Sequence, residues 1–234
     1  MAVTFDGAGD FVTCNDSASL SAINPLTIML WQKTGSTENS YNGWITKYAT
    51  SNREWMFTFR PSDGYVAFFV FDEDAGAVRG NYYSPDTGIR DDNWHFMAAV
   101  WNGGTTSATD FKVYKDGVAV GIAFPSDTGI FIDIEPLGAD VLIGHGHLAT
   151  EFDGEMSNVT IINRELSVGE IRSEMYRSHI PESNTKLCCR LDEMSDNTAP
   201  GGVDCADISG NGNHGTFLGD PQWVDGPPVK ILHE

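Results

Sequence analysis

The chain has 234 residues, of which 41% are hydrophobic and 11% aromatic, a composition that can bury a core and excludes a disordered chain. Fourteen basic against 33 acidic side chains give a net charge of −19. That charge repels phosphate backbones and anionic lipid surfaces, so we expect no nucleic-acid partner. Apolar runs are far shorter than the roughly 20 residues that span a bilayer, so membrane insertion is not expected either.

Short β-branched and aromatic runs follow one another from Ala2 onward, separated by Gly, Asn, Asp and Pro turns. In Trp55–Arg60 aromatic residues alternate with Met, Thr and Arg, which predicts a strand with one buried face. The run Trp94–Trp101 is apolar on both faces and predicts a central strand covered on its second side by a loop or a partner. Asp116-Gly117 predicts a tight hairpin turn. The pattern is typical of an all-β sandwich.

One helix is predicted, at 168–176. Ser167 is followed three residues later by Glu170, which is the spacing of a capping box. Leu166 and Ile171 occupy the positions of a hydrophobic staple. A single capped helix after a series of strands fits one sandwich domain, 1–234, with a packed appendage.

Several segments together resemble the laminin-G-like, concanavalin A-like lectin family. They are Phe5-Asp6-Gly7, Asn93-Trp94-His95-Phe96-Met97-Ala98, Val113-Tyr114-Lys115-Asp116-Gly117, Leu142-Ile143-Gly144 and, most specifically, Phe152–Ile171. The resemblance covers residues 2–176 and implies a two-sheet antiparallel jelly roll, which agrees with the strand pattern.

The C-terminal part is similar to a segment that precedes the first strand in many relatives. It includes Asp207–Gly215 and Trp223–Gly226. Because the termini of such a sandwich are neighbours, we expect 185–226 to pack beside the N-terminal strand. Similar tails follow such domains in proteins of tailed phages.

Glycan binding by a lectin-like sandwich would use aromatic faces together with a few polar groups. The candidate aromatic residues are Trp44, Trp55, Tyr82, Tyr83 and Trp101. The alternative for each is a place in the core, since aromatic residues dominate sandwich cores.

The resemblance also implies a structural calcium ion held by loop oxygens, which hard-cation chemistry favours. Asp6, Asp10 and Asn158 are the candidate ligands. Ser157 and Asn158 replace the family's Asp-Glu pair, which removes charge from that site. Ordinary turn capping by Asp6 and Asp10 is the alternative.

Glu151, Asp153 and Glu155 form a string like that of laminarinase-type jelly-roll hydrolases, whose two glutamates act as nucleophile and acid. The surrounding residues match the non-catalytic motif better, and Gly154 stands where those hydrolases prefer an apolar residue. We therefore expect no enzymatic activity.

The four cysteines are Cys14, Cys188, Cys189 and Cys205. Neighbouring residues of a strand point to opposite faces, so at most one of Cys188 and Cys189 can face Cys205. A single disulfide, Cys189–Cys205, is the candidate pairing, and two reduced thiols are the alternative.

These observations favour a non-enzymatic lectin-like surface module. The first hypothesis places it on a virion, made in the host cytoplasm, as a capsid or tail decoration that contacts host glycans and can form a homo-oligomer. The phage-like tail and the lack of a signal peptide at Met1 favour this placement. An exported, calcium-aided carbohydrate-binding module is the second hypothesis, and a laminarinase-like glycosidase is the third.

Overall fold

A computed structural model describes residues 1–36, 42–60, 63–84, 88–146, 150–176, 180–192 and 204–228. It confirms the predicted fold class: two antiparallel sheets lie face to face, with one short helix outside them. The eight-stranded sheet has the order β10-β9-β8-β3-β13-β1-β17, with β14 also paired to β13. The nine-stranded sheet has the order β11-β7-β6-β5-β4-β12-β2-β16-β15.

The eight-stranded sheet contains β1 (Ala2–Asp6), β3 (Leu26–Lys33), β8 (His95–Trp101), β9 (Phe111–Lys115), β10 (Val118–Ala119), β13 (Asp153–Ile162), β14 (Thr185–Cys189) and β17 (Gln222–Val224). The nine-stranded sheet contains β2 (Phe11–Cys14), β4 (Asn42–Ala49), β5 (Asn52–Arg60), β6 (Tyr65–Asp72), β7 (Ala77–Tyr83), β11 (Ile122–Pro125), β12 (Val141–Ile143), β15 (Asp204–Cys205) and β16 (Gly215–Leu218). The helix, α1, spans Val168–Glu174, and a 3-10 turn spans Ala108–Asp110.

The main core lies between the two sheets and is rich in aromatic rings. Trp44 stacks on Phe59 with ring centroids 5.9 Å apart and meets Phe57 edge-on at 5.0 Å. Phe57 in turn meets Phe68 of the next strand at 5.9 Å. Side chains of this size bury the largest apolar area per residue, so these contacts supply much of the drive to fold.

The predicted central strand is β8, and all seven of its residues are buried. Met97, Ala99 and Trp101 face the main core, whereas Phe96, Ala98 and Val100 belong to a second cluster on the outer side of the sheet. Ile171 of helix α1 and Leu166, which precedes the helix cap, cover that cluster; they are the two staple residues. The second face of β8 is therefore covered from within the chain, by a helix.

Both reciprocal hydrogen bonds of the predicted capping box are present at the start of α1. The Ser167 hydroxyl accepts from the Glu170 amide at 3.3 Å, and the Glu170 carboxylate accepts from the Ser167 amide at 2.8 Å. The Ser167 hydroxyl also donates to the Glu170 carboxylate at 2.7 Å. This bond, the bond from the Ser167 amide and the Arg164 guanidinium hold the pKa of Glu170 down at about 2. A helix of only seven residues depends on such capping and on its packing, because isolated helices of this length are marginal.

The C-terminal segment adds strands to both sheets. Strand β17 pairs with β1, β14 pairs with β13, and β16 pairs with β2. The loop after β15 is fixed by Asp207, whose carboxylate accepts from the amides of Cys188 and Asn213, both at 2.9 Å. The loop is thus a tight turn in which backbone donors satisfy the carboxylate.

A fully buried ion pair lies at one end of the nine-stranded sheet. Lys47 on β4 and Glu54 on β5 are both 0% exposed, with Nζ and Oε1 3.0 Å apart. Lys47 also donates to the Asp16 carboxylate at 2.6 Å and to the carbonyl of Ala139. The two Glu54 oxygens accept from the backbone amides of Ala22 and Leu137. The pair therefore ties two loops to the sheet.

Asp116 and Gly117 both adopt positive φ, 49° and 70°, which confirms the predicted tight hairpin between β9 and β10. His95 anchors this hairpin, since its Nδ1 lies 2.8 Å from the Asp116 carboxylate and its Nε2 lies 3.0 Å from that of Asp91. The hydrogen bond from Asp116 is the main cause of a raised His95 pKa, whereas burial opposes it. A protonated imidazole can donate to both carboxylates at once.

We expect His95→Gln to lower the free energy of unfolding by about 1.5–3 kcal/mol at pH 5.5, the range for hydrogen bonds to charged groups. Because the folded pKa of His95 is raised, this stabilisation is complete below the ordinary value of 6.5 and is lost as pH rises through the folded value. Urea unfolding of both proteins at pH 5.5 and 8.5 measures the difference. A stability gap that widens with pH would contradict the assignment.

Candidate functional site

Apolar rings cover part of the outer side of the nine-stranded sheet, on β4 to β7 and β11. We call this set the aromatic face; it comprises Tyr48, Met56, Tyr65, Phe69, Phe71, Val78, Tyr82 and Phe124. It arises because β6 is apolar on both sides: Val66, Phe68 and Val70 point into the main core, and the residues between them point outward.

Three rings at one end of the aromatic face form a ledge. Tyr82 lies 4.6 Å from Phe124 between ring centroids, Tyr65 lies 5.3 Å from Phe124, and Tyr65 and Tyr82 are 6.3 Å apart. Phe124 is 41% exposed, and both tyrosines are partly exposed. The ledge therefore presents aromatic surface to solvent, with the rings held by one another.

Ion pairs flank the aromatic face at both ends. The guanidinium of Arg60 lies 5.4 Å from the ring centroids of both Tyr65 and Tyr82, and its Nε donates to Asp63 at 2.9 Å. At the other end the Arg53 guanidinium lies 5.0 Å from the Phe71 ring. Cations over ring faces are stabilised by the ring quadrupole.

Arg53 is held by a second interaction. Its guanidinium forms a two-pronged pair with Glu73, one prong of which is 3.0 Å long. That hydrogen bond lowers the pKa of Glu73 and raises that of Arg53, so both groups stay charged at neutral pH. Charged donors and acceptors thus stand beside apolar rings at each end of the face.

Between the two ends the face is hollowed into an open cavity of about 160 Å³. Its lining is Tyr48, Met56, Phe69, Phe71, Val78, Tyr82 and Ser126. An apolar floor with a few polar groups at its rim is the usual composition of a small-molecule site. Such a surface can stack on the C–H faces of a sugar ring while the rim groups bond its hydroxyls.

A second, polar cavity of about 590 Å³ lies on the outer side of the eight-stranded sheet. It is lined by Thr4, Lys33, Thr34, Gly35, Ser36, Asp92, Asp153, Gly154 and Glu155. The Lys33 ammonium lies 3.0 Å from the Glu155 carboxylate and 3.8 Å from that of Asp92. Among the described residues that line it there is no aromatic ring, so it offers hydrogen bonds without a stacking surface.

Four of the five aromatic residues proposed from the sequence as glycan contacts are wrong for this role. Trp44, Trp55, Tyr83 and Trp101 are 0% exposed and belong to the main core, where no ring face can meet a ligand. Their burial follows from the pleat, which turns them toward the opposite sheet. Tyr82 alone lies on the outer side.

Sequence reasoning missed most of the aromatic face. Tyr48, Phe69, Phe71 and Phe124 were not singled out, although the run Tyr65-Val66-Ala67-Phe68-Phe69-Val70-Phe71 is apolar on both faces in the same way as β8. A strand that is apolar on both faces predicts that its outer face is also covered, either by another part of the chain or by a ligand. The pattern does not distinguish between these two.

The predicted calcium ligands separate in the structure. Asp6 and Asp10 lie together with Asp220, and each offers an oxygen within 4.8 Å of the others. Asn158 does not join them, because β1 pairs Asp6 with Asp153, and Asn158 lies five residues further along β13, roughly 16 Å away. Asp220, and not Asn158, is therefore the third oxygen-bearing side chain beside Asp6 and Asp10.

Backbone amides already use part of this cluster. Asp10 accepts from the Asp220 amide at 2.7 Å and from the Asp6 amide at 3.2 Å. Burial is the main cause of a raised Asp10 pKa, and the charges of Asp6 and Asp220 add to it. Three hard oxygens with excess negative charge suit a calcium ion, and the amide bonds to Asp10 agree with ordinary turn capping.

The two glutamates proposed from the hydrolase-like motif, Glu151 and Glu155, contact different side chains. Glu155 pairs with Lys33, whereas Glu151 faces His145 across 3.9 Å in a separate bridge before β13 begins. Each glutamate is thus engaged by a different neighbour. This arrangement differs from two carboxyls that share one substrate bond.

All four cysteines are buried, and none of them forms a disulfide in the structure. The predicted disulfide between Cys189 and Cys205 is therefore not formed in it, although the neighbouring thiols of Cys14 and Cys205 both raise the pKa of Cys189. Within the described residues, no helix is long and apolar enough to cross a membrane.

Comparison with solved structures finds the same fold in lectin-like proteins. A candidate carbohydrate-binding protein from Bacteroides ovatus ATCC 8483 superposes with a TM-score of 0.62 at 14% identity; the match covers 99% of this chain and 62% of that one. This chain thus spans less than two thirds of that protein's length.

Two further solved structures have a similar fold at low sequence identity. The CBM40 of the Ruminococcus gnavus IT-sialidase, bound to α2,3-sialyllactose, gives a TM-score of 0.52 at 14% identity, covering 76% of this chain and 96% of that one. The heptameric SAP-like pentraxin of Limulus polyphemus gives 0.51 at 16% identity, covering 74% and 80%. At such identities the likeness shows the fold alone.

A search of curated proteins found no match. The family model of the concanavalin A-like lectin/glucanases superfamily, a laminin-G type, matches residues 6–172, which is most of the chain. The chain belongs to the concanavalin A-like lectin/glucanases superfamily.

Proposed function

We propose that this chain is a non-enzymatic carbohydrate-binding module and that the aromatic face is its glycan site. The observation that carries the proposal is the solvent-open ledge of Tyr65, Tyr82 and Phe124, set beside the Arg60–Asp63 pair. Carbohydrate-binding proteins among the similar structures support it at the level of the fold. The separate engagement of Glu151 and Glu155 supports a binding rather than a hydrolytic role.

In this proposal a sugar ring lies on the ledge with its apolar C–H face against Tyr82 and Phe124. The Arg60 guanidinium donates to ring hydroxyls, and the Asp63 carboxylate accepts from them. The open cavity beyond Tyr82 receives the next unit of the chain, and Ser126 at its rim offers a hydroxyl. The glycan therefore runs along the sheet surface toward the Arg53–Glu73 pair.

We expect Tyr82→Ala and Phe124→Ala each to weaken glycan binding at least tenfold, which equals about 1.4 kcal/mol. A glycan array identifies the ligand, and calorimetric titration with that ligand measures Kd for each variant. Tyr176→Ala is the matched control, because Tyr176 is 71% exposed and follows α1 on the other sheet. Unchanged affinity in both aromatic-face variants, or equal loss in the control, would reject the site.

Calcium remains a proposal for the cluster of Asp6, Asp10 and Asp220. Free calcium at about ten times its Kd should stabilise the chain by about 1.4 kcal/mol, seen as a rise in Tm. Asp220→Asn should remove the rise, whereas Asp225→Asn, an exposed acidic residue outside the cluster, should keep it. An equal calcium response in all three proteins would show that the ion binds elsewhere.

The virion surface stays our proposal for where the module acts, with an extracellular carbohydrate-binding module as the alternative. It rests on a resemblance of the C-terminal sequence, including Asp207–Gly215, to tails of tailed-phage proteins. Co-sedimentation of the purified chain with virions is the direct measurement.

A further inference from the structure

Three thiols meet between the two sheets. Cys189 comes from β14 of the eight-stranded sheet, and Cys14 and Cys205 come from β2 and β15 of the nine-stranded sheet. All three are 0% exposed. An isolated bridge pairs Cys189 with Asp207, two residues from Cys205, and Cys14 and Cys205 both act on the Cys189 thiol, so Cys189 is the centre of the cluster.

Strand register accounts for the meeting. Gly215 on β16 stands between the other two cysteines, paired with Cys14 on one side and with Cys205 on the other. A Cβ at residue 215 would collide first with Val12 Cγ1, and it would lie 3.0 Å from Cys14 Sγ and 3.2 Å from Cys205 Cβ. Glycine at this position therefore removes the side chain that would crowd the two flanking thiols.

Cys188 takes no part in the cluster. It belongs to the opposite side of β14, where its sulfur accepts from the Thr160 hydroxyl at 3.9 Å. Burial raises its pKa to about 11, which makes it a poor nucleophile. Because it points away from Cys14 and Cys205, it serves as the control thiol that should form no disulfide.

We propose that Cys189 is the shared partner of two alternative disulfides across the sandwich, Cys189–Cys205 and Cys14–Cys189, and that each molecule forms one of them. Two bonds to one sulfur are impossible, so the third thiol stays reduced. Cys189–Cys205 is the major form, because 205 − 189 leaves a closure of 16 positions, whereas 189 − 14 leaves 175. Closing the shorter loop costs less chain entropy.

The oxidant is a small disulfide of the glutathione class. The Cys189 thiolate attacks it, forming a mixed disulfide and releasing one thiol. The Cys205 thiolate then attacks the Cys189 sulfur, and the second thiol leaves. Two protein thiols are oxidised and one small disulfide is reduced to two thiols. The neighbouring thiols of Cys14 and Cys205, together with burial, raise the pKa of Cys189 in the folded chain. The reaction therefore belongs to late folding, when β14 already turns Cys188 and Cys189 to opposite sides but solvent still reaches the thiols.

The bond would join the two sheets at the edge of the sandwich. Strand β15 is two residues long and is the outermost strand of the nine-stranded sheet. A Cys189–Cys205 bond attaches this edge to β14 in the other sheet, whereas a Cys14–Cys189 bond attaches β2 instead. Either bond fixes the C-terminal segment to the sandwich.

The test refolds the full chain from denaturant in a glutathione redox buffer, alkylates free thiols and maps disulfides by tandem mass spectrometry. We expect wild type to retain two alkylated cysteines of four, with Cys189 in every disulfide and Cys205 as its main partner. Cys205→Ala should shift the bond to Cys14, leaving Cys188 as the one free thiol. Cys189→Ala should form no bond, and Cys188→Ala should form the same bonds as wild type.

Four free thiols in refolded wild type would overturn the proposal, as would a disulfide that omits Cys189. A folded Cys205→Ala protein that forms no disulfide would overturn the alternative pairing. If that variant does not fold, the wild-type map decides, because the minor Cys14–Cys189 peptide is then expected there and its absence counts against the shared partner.

Discussion

Replacing Lys47 with Met should destabilise the fold by about 3–5 kcal/mol, the cost of leaving a buried charge without its partner. Glu54 is 0% exposed, and its remaining contacts are the amides of Ala22 and Leu137. Burial raises the Glu54 pKa even with Lys47 present. Without Lys47 the Glu54 carboxyl must either take up a proton or remain buried as a negative charge with no cation beside it.

The loss should depend on pH. A carboxyl whose folded pKa is raised costs stability as pH rises through the range between its unfolded and folded values. The Lys47→Met variant should therefore lose less at pH 4.5 than at pH 7. Urea unfolding at both values measures this, and Lys47→Met/Glu54→Gln should recover part of the loss.

Lys33→Met is the matched control. Lys33 forms an ion pair with Glu155, but its side chain is 26% exposed, and pairs in contact with solvent contribute about 0–1 kcal/mol. Equal losses in the Lys33 and Lys47 variants would contradict the role of burial.

Trp44→Ala should also cost about 3–5 kcal/mol, through the cavity left in the main core. Trp44 packs against Phe57 and Phe59, and its indole nitrogen has no hydrogen-bond partner in the described part of the chain, so the loss comes from packing. Trp44→Phe, which keeps a ring, should lose less. Chemical denaturation measures both variants.

The same variant separates the two assignments of the glycan site. If Trp44 were a glycan contact, as predicted from the sequence, Trp44→Ala would lose glycan affinity with little change in the free energy of unfolding. The structure predicts the reverse, because the ring faces the opposite sheet. Below the denaturation midpoint, the folded fraction should bind glycan with wild-type affinity.

The parts of the fold that local sequence determines could be predicted. The apolar pattern of 94–101 predicts strand β8, and the positive φ that Asp116-Gly117 allows predicts the hairpin turn. The spacing of Ser167 and Glu170 predicts the helix cap. The family resemblance supplied the arrangement of the two sheets.

The candidate site could not be predicted in the same way. Alternation along a strand shows that two sides differ, but not which side faces the core. Trp55 and Met56 are neighbours on β5, yet Trp55 lies in the main core and Met56 on the aromatic face. The ledge also depends on pairing of β11 with β7, which places Phe124 beside Tyr82 although they are far apart in sequence.

The acidic cluster shows the same limit. Asp220 lies near Asp6 and Asp10 because β17, close to the C-terminus, pairs with β1 at the N-terminus. The sequence predicted that 185–226 lies beside the N-terminal strand. It did not predict the register of β17 on β1, and this register decides which side chains meet. Asn158 was proposed from its place in a motif, and strand geometry separates it from the cluster.

The most direct test of the account is to titrate the isotope-labelled chain with its best array glycan and follow amide chemical shifts by NMR. Binding on the aromatic face predicts the largest shifts at Tyr65, Tyr82 and Phe124. Shifts concentrated instead at Thr4, Lys33 and Glu155, in the polar cavity of the other sheet, would contradict it.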